Sequence, residues 1–132
     1  MRVHHTGYLV KNLPKAAEAF LTLGYRSEGE AVYDGIRDVD IQFLEKDGCR
    51  VELVSPCSAA SVVAGLLKTC RNAPYHLCYE TEDLRSELSR LEAAGFTRID
   101  EPTPAPALQN RRVCFLMSPR IGMIELLERA SG

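Results

Sequence analysis

Four residues combine a side chain suited to metal chemistry with a setting in which it would be used. His5 and His76 each sit in a short apolar run, while Glu52 and Glu125 are flanked by aliphatic residues in Val51-Glu52-Leu53-Val54 and Ile124-Glu125-Leu126-Leu127. A carboxylate in such a strand is costly to bury unless a cation or hydrogen bonds compensate it. Taken singly, each residue also fits an ordinary role. A histidine in an apolar strand is commonly a core or surface residue, and a glutamate there can be the outward residue of a period-two pattern. Taken together, two imidazole nitrogens and two carboxylate oxygens form a donor set for a six-coordinate divalent ion such as Co²⁺, Ni²⁺, Mn²⁺ or Zn²⁺. Two positions remain for water or substrate.

An internal repeat groups the four. A shift of 76 − 5 = 71 residues lays His5 on His76 without a gap. From each histidine a tyrosine follows at +3 (Tyr8, Tyr79), a leucine at +8 (Leu13, Leu84) and a Gly-aromatic pair at +19 (Gly24-Tyr25, Gly95-Phe96). The glutamates follow at 52 − 5 = 47 and 125 − 76 = 49 residues. Two modules related by pseudo-twofold symmetry would carry the same two strand positions of each half to one shared cleft.

The elements that must position these residues repeat as well. Strands are expected at 2–10 and 75–80, followed by helices at 14–23 and 83–94, the second with Leu84, Leu88 and Leu91 on one face. Pro14 suits a first helical turn, Asp83 suits a cap or first-turn acid, and Gly24 and Gly95 act as helix stops. Strand-like stretches follow at 25–33, 39–45 and 49–55, and again at 96–100, 112–117 and 122–128. Each half is therefore βαβββ, and the fold class is α+β. The expected arrangement is a single domain over 1–132, with module one at about 1–56, a linking helix at about 57–71 and module two at about 72–130. Glu101–Asn110, with prolines at 102, 104 and 106, reads as a loop, because proline removes donors and fixes φ.

Other residues could serve a substrate. Gln42 precedes Glu52 by one strand and could donate a hydrogen bond to substrate, although an exposed strand glutamine is the more ordinary account of it. Arg111, Arg112 and Arg120 flank the last strands and could meet an anionic group, or be solvated surface arginines. Tyr8 and Tyr79 read as packing elements. Cys78 and Cys114 have no sequence-visible activating partner and read as structural.

Composition narrows the classes. A net charge of −2 offers no attraction for nucleic acid or anionic membrane. Five cysteines, an odd number with no CxxC spacing, argue against a disulfide framework and a thiolate zinc site. Met-Arg-Val-His-His-Thr leads into a strand without an apolar signal segment, so a cytoplasmic location is the expectation.

The run His5-Thr-Gly-Tyr-Leu-Val-Lys-Asn-Leu13, with Glu52-Leu-Val-Ser-Pro56, His76-Leu-Cys-Tyr-Glu-Thr-Glu-Asp-Leu84 and Ile124-Glu125-Leu126, resembles the vicinal oxygen chelate superfamily over nearly the whole chain. Arg112-Val-Cys-Phe-Leu-Met-Ser-Pro119 and Gly122-Met-Ile-Glu125 are similar to its methylmalonyl-CoA epimerase branch. Ser118-Pro-Arg-Ile-Gly122 stands where glyoxalase I carries Asp-Pro-Asp-Gly, and Ala107-Leu-Gln-Asn110 where epimerases often carry a Gly-rich segment. The resemblance implies a curved, mostly antiparallel eight-stranded sheet around a metal-binding cleft, and chains paired as homodimers. It also implies one divalent ion held by His5, Glu52, His76 and Glu125. The activity it implies is isomerisation: proton abstraction next to a carbonyl through a metal-bound enolate, with Glu125, and then Glu52, as the catalytic carboxylates. The substrate would be an acyl-CoA. A glyoxalase I-like lyase acting on a thiol hemithioacetal is the alternative, and a non-catalytic small-molecule-binding resistance-type protein the second. Retention of four ligands favours catalysis over binding alone.

Overall fold

The structure, a computed structural model, describes residues 1–130. Among these are ten strands, three α-helices and one 3₁₀ turn, grouped into two compact units. One unit comprises His5–Tyr75, and the other comprises Met1–His4 together with the chain from His76 onward. No helix among the described residues is long and apolar enough to cross a membrane.

In the first unit, β1 (Arg2–Leu9), which belongs to it from His5 on, leads to α1 (Leu13–Thr22), then β2 (Arg26–Ser27), β3 (Val32–Asp34), β4 (Val39–Lys46), β5 (Cys49–Pro56) and α2 (Ala64–Cys70). Its strands are ordered β2-β4-β5-β1, with β3 also on β4. β4 and β5 are antiparallel and β5 and β1 parallel. The second unit repeats the plan with β6 (Ala73–Thr81), α3 (Leu84–Ala93), β7 (Thr97–Arg98), β8 (Thr103–Ala105), β9 (Arg111–Ser118) and β10 (Gly122–Glu128). Its order is β7-β9-β10-β6, with β8 also on β9; β9 and β10 are antiparallel and β10 and β6 parallel.

The class is α+β, with strand pairing mixed within each unit and mostly antiparallel. Eight expected strands become ten because one expected strand of the first repeat is broken in two and the second repeat gains a strand. The stretch 25–33 resolves into β2 and β3, and β8 arises inside the segment expected to be a loop. Pro104 is tolerated there because β8 pairs only with β9, and an edge strand can spare a donor.

Each helix covers one sheet face. Leu13 and Ala17 of α1 pack on Leu44, Val51 and Leu53, while Leu84, Leu88 and Leu91 of α3 pack on Cys114, Leu116, Ile124 and Leu126. Both helices start alike. Asn12 caps α1 by accepting from the Lys15 amide at 3.0 Å, and Asp83 caps α3 by accepting from the Ser86 amide at 3.0 Å. They also end alike: Gly24 (φ +98°) and Gly95 (φ +103°) turn left-handed, and the following Tyr25 and Phe96 amides reach back to the Phe20 and Leu91 carbonyls. This is the Schellman closure, and it needs glycine where φ is positive.

The linking helix is shorter than expected, Ala64–Cys70 instead of about 57–71. Ser58 and Ser61 turn their hydroxyls to the Ala60 and Val63 amides, giving the backbone an alternative to helix.

Candidate metal centre

Alternation along each strand puts the four chemistry-bearing residues on the sheet face away from α1 and α3. In the first unit, Glu52 lies opposite Gly7 on β1 and opposite Phe43 on β4. His5 is two residues before Gly7 and so shares that face. In the second unit, Glu125 lies opposite Cys78 on β6 and Phe115 on β9, with His76 two residues before Cys78. The local construction is therefore the same twice.

The distances fit metal ligation better than direct pairing. His5 Nε2 lies 3.4 Å from Glu52 Oε1, and His76 Nε2 lies 3.2 Å from Glu125 Oε1. A charge-assisted N–H···O bond would be shorter, about 2.7–2.9 Å. Two ligands each bonded at about 2.1 Å to one ion lie roughly 3.0 Å apart at a right angle and roughly 3.4 Å apart at the tetrahedral angle. All four residues are buried, with 1%, 5%, 4% and 4% exposure for His5, Glu52, His76 and Glu125. Carboxylates this deep among Val, Ile and Leu call for a compensating charge. Each pair can thus supply one nitrogen and one oxygen ligand to a divalent cation.

Residues 4–115 match the Glyoxalase/Bleomycin resistance protein/Dioxygenase superfamily. The chain belongs to this superfamily, also called vicinal oxygen chelate. A curated relative, the ethylmalonyl-CoA/methylmalonyl-CoA epimerase of Cereibacter sphaeroides, is 27% identical over 116 residues, 87% of each chain. Among solved structures, methylmalonyl-CoA epimerase from Mycobacterium tuberculosis superposes with a TM-score of 0.84 at 23% identity, over 98% of this chain and 89% of that one. The Streptomyces coelicolor methylmalonyl-CoA epimerase (Q60A) in complex with 2-nitronate-propionyl-CoA gives 0.83 at 20% identity, over 99% of both.

The other candidates fall in different places. Gln42 lies on the opposite face of β4 from Phe43, toward α1, and its amide donates to Ser27 Oγ and the Gly29 carbonyl at 3.1 Å each. It braces the segment between β2 and β3 and does not share the face of Glu52. Arg111 does share the face of Phe115 by strand alternation. Its Nη1 donates to Glu80 Oε2 at 2.7 Å and its Nε to the Leu108 carbonyl at 3.3 Å. That bond, ahead of the general attraction of the guanidinium, holds the Glu80 carboxyl below the ordinary carboxylate range. Arg112 points the other way and pairs with Glu128, and Arg120 is exposed in the turn between β9 and β10. Tyr8 and Tyr79 pack beside α1 and α3 as expected. Cys114 is fully buried beneath α3, and burial pushes its thiol up to about 12, so it is no nucleophile.

Sequence reasoning missed Phe43 and Phe115, each with its ring against the histidine of its own unit. Phe43 meets His5 with centroids 5.3 Å apart at 74°, and Phe115 meets His76 at 5.2 Å and 90°. The gapless shift places Phe43 on Cys114, because 115 − 43 = 72. A register allowing one inserted residue would have found the pair.

Proposed function

We propose that His5, Glu52, His76 and Glu125 together hold one divalent cation, Co²⁺, Ni²⁺, Mn²⁺ or Zn²⁺, and that the chain is an epimerase of the methylmalonyl-CoA type. The observation that carries this reading is the identical construction of two buried imidazole–carboxylate pairs at metal-like separations. The 27% identity to an ethylmalonyl-CoA/methylmalonyl-CoA epimerase over most of both chains supports the choice of reaction. When bound, the cation supplies Lewis acidity toward oxygens flanking an acidic C–H. His5 and His76 hold it through Nε2. In this reading Glu125 accepts the proton from the carbon between thioester and carboxylate, and Glu52, already protonated, gives its own proton to the other face, so that the centre inverts and both carboxyls then exchange with solvent for the next turnover. Two chains pair as a homodimer in this reading, which light scattering on the pure protein tests.

The deciding experiment incubates the metal-reconstituted enzyme with one epimer of methylmalonyl-CoA in D₂O. Deuterium should enter at C2 as the epimers equilibrate, and Glu125→Gln should slow this by at least about 100-fold. Unchanged wash-in by Glu125→Gln would remove that residue from the proton transfer. No epimerisation by the wild-type protein with any of the four metals would overturn the reaction itself.

A further inference from the structure

The two phenylalanines beside the histidines have no place in the apolar clusters that α1 and α3 cover. Each is half-buried on the ligand face and lies opposite the glutamate of its own unit, Phe43 facing Glu52 and Phe115 facing Glu125. Residues so paired across strands have Cβ atoms about 4.5–5.5 Å apart, which lets an aromatic ring extend past the carboxylate to the neighbouring strand. In both units the ring ends against the imidazole, edge to face, at nearly equal distance. The coincidence is not a by-product of a rigid repeat. The phenylalanines are separated by 72 residues and the histidines by 71, and the hairpins that follow also differ in length. Two differently spaced sequences thus arrive at one contact.

A strand backbone fixes where a histidine begins but not where its ring ends, because rotation about the bond to an sp² ring is broad and roughly two-fold. Turning the imidazole plane by a quarter turn would carry Nε2 away from the glutamate. A phenyl ring held nearly perpendicular to the imidazole resists that rotation and so fixes the plane in which Nε2 lies, since aromatic pairs prefer the edge-to-face arrangement over others. We propose that Phe43 and Phe115 are positioning residues that set the His5 and His76 rings for cation binding. This rests on the four-ligand reading given above and adds to it the groups that orient two of the ligands.

The test is calorimetric titration of Co²⁺ into the full-length apoprotein, with the visible absorption band of the bound ion as a second readout. Phe43→Leu and Phe115→Leu keep an apolar side chain and remove the ring, with Phe→Met as the replacement should either fail to fold. Each should weaken Co²⁺ binding about 2- to 10-fold, the double variant by about the product, and each should shift the band. Phe→Tyr, which keeps the ring, should restore both. The thermal midpoint of each apoprotein separates lost packing from lost orientation. Leu or Met variants that bind Co²⁺ as tightly as wild type with an unshifted band would overturn the inference. So would weakening that tracks only the loss of apoprotein stability. A wild-type protein that takes up no Co²⁺ would instead defeat the four-ligand reading, and the inference with it.

Discussion

Arg111 and Glu80 form a sheltered ion pair on the ligand face of the second unit, with about 15% of either side chain exposed. The Arg111 bond lowers the Glu80 carboxyl in the folded state, while the unfolded chain leaves it near the ordinary value of about 4.3. The resulting stabilisation is fully present above that ordinary value and is lost as pH falls through the lowered folded one. Urea midpoints taken between pH 7 and pH 3 should therefore fall less steeply for Arg111→Gln than for wild type, and parallel curves would show the pair contributes nothing. At this scale the sequence was informative wherever duplication offered a second copy to compare. His5 with His76 and Glu52 with Glu125 were visible because each pair shares a letter and its strand context. The cap residues Asn12 and Asp83 stand in register as well, 83 − 12 = 71, yet were not matched because the two letters differ while the capping chemistry is shared. Gln42 shows the limit of distance along the chain, because the parity of β4 puts it on the face opposite Phe43.

Helix ends show which elements could be anticipated. Gly24 and Gly95 were expected as stops, and both adopt the positive φ that closes a Schellman turn. Replacing either by Ala should cost about 1–2 kcal/mol, the usual penalty for a side chain in left-handed backbone, read as a drop in urea midpoint. At Gly95 the added carbon meets open space, while at Gly24 it comes within 3.2 Å of Lys46 Nζ, a flexible tip that can move aside. The two losses should therefore be similar, and a much larger loss at Gly24 would mean that Lys46 cannot yield. The short strands were harder to read. β2, β3, β7 and β8 have two or three residues each, too few for a hydrophobic period, and they exist because β4 and β9 offer free edges to pair with. Gln109 and Asn110, where a glycine-rich stretch would ease the turn, both take φ near +60° without glycine. No local pattern announces that either.

At the scale of the whole chain, the two units bury their cores in the same way, and cysteine reactivity offers a direct check on the interior of the second. Cys49, Cys57 and Cys70 are exposed, whereas Cys78 and Cys114 are buried. Three thiols should react promptly with a disulfide reagent at pH 8 and the remaining two only after denaturant is added. Five prompt thiols would mean that the second unit is open both under α3, at Cys114, and on its ligand face, at Cys78. The βαβββ repeat, its helices and its main strands were legible because two copies of the pattern reinforce each other. The compact units were not, because nothing in a linear pattern says that a strand will be divided. Met1–His4 are grouped with the chain from His76 onward, and Arg2 reaches Glu80 at 3.8 Å. An affinity tag fused to the start of the protein, or a truncation of its first few residues, would therefore be felt first in the carboxy-terminal half, some seventy residues downstream of the alteration.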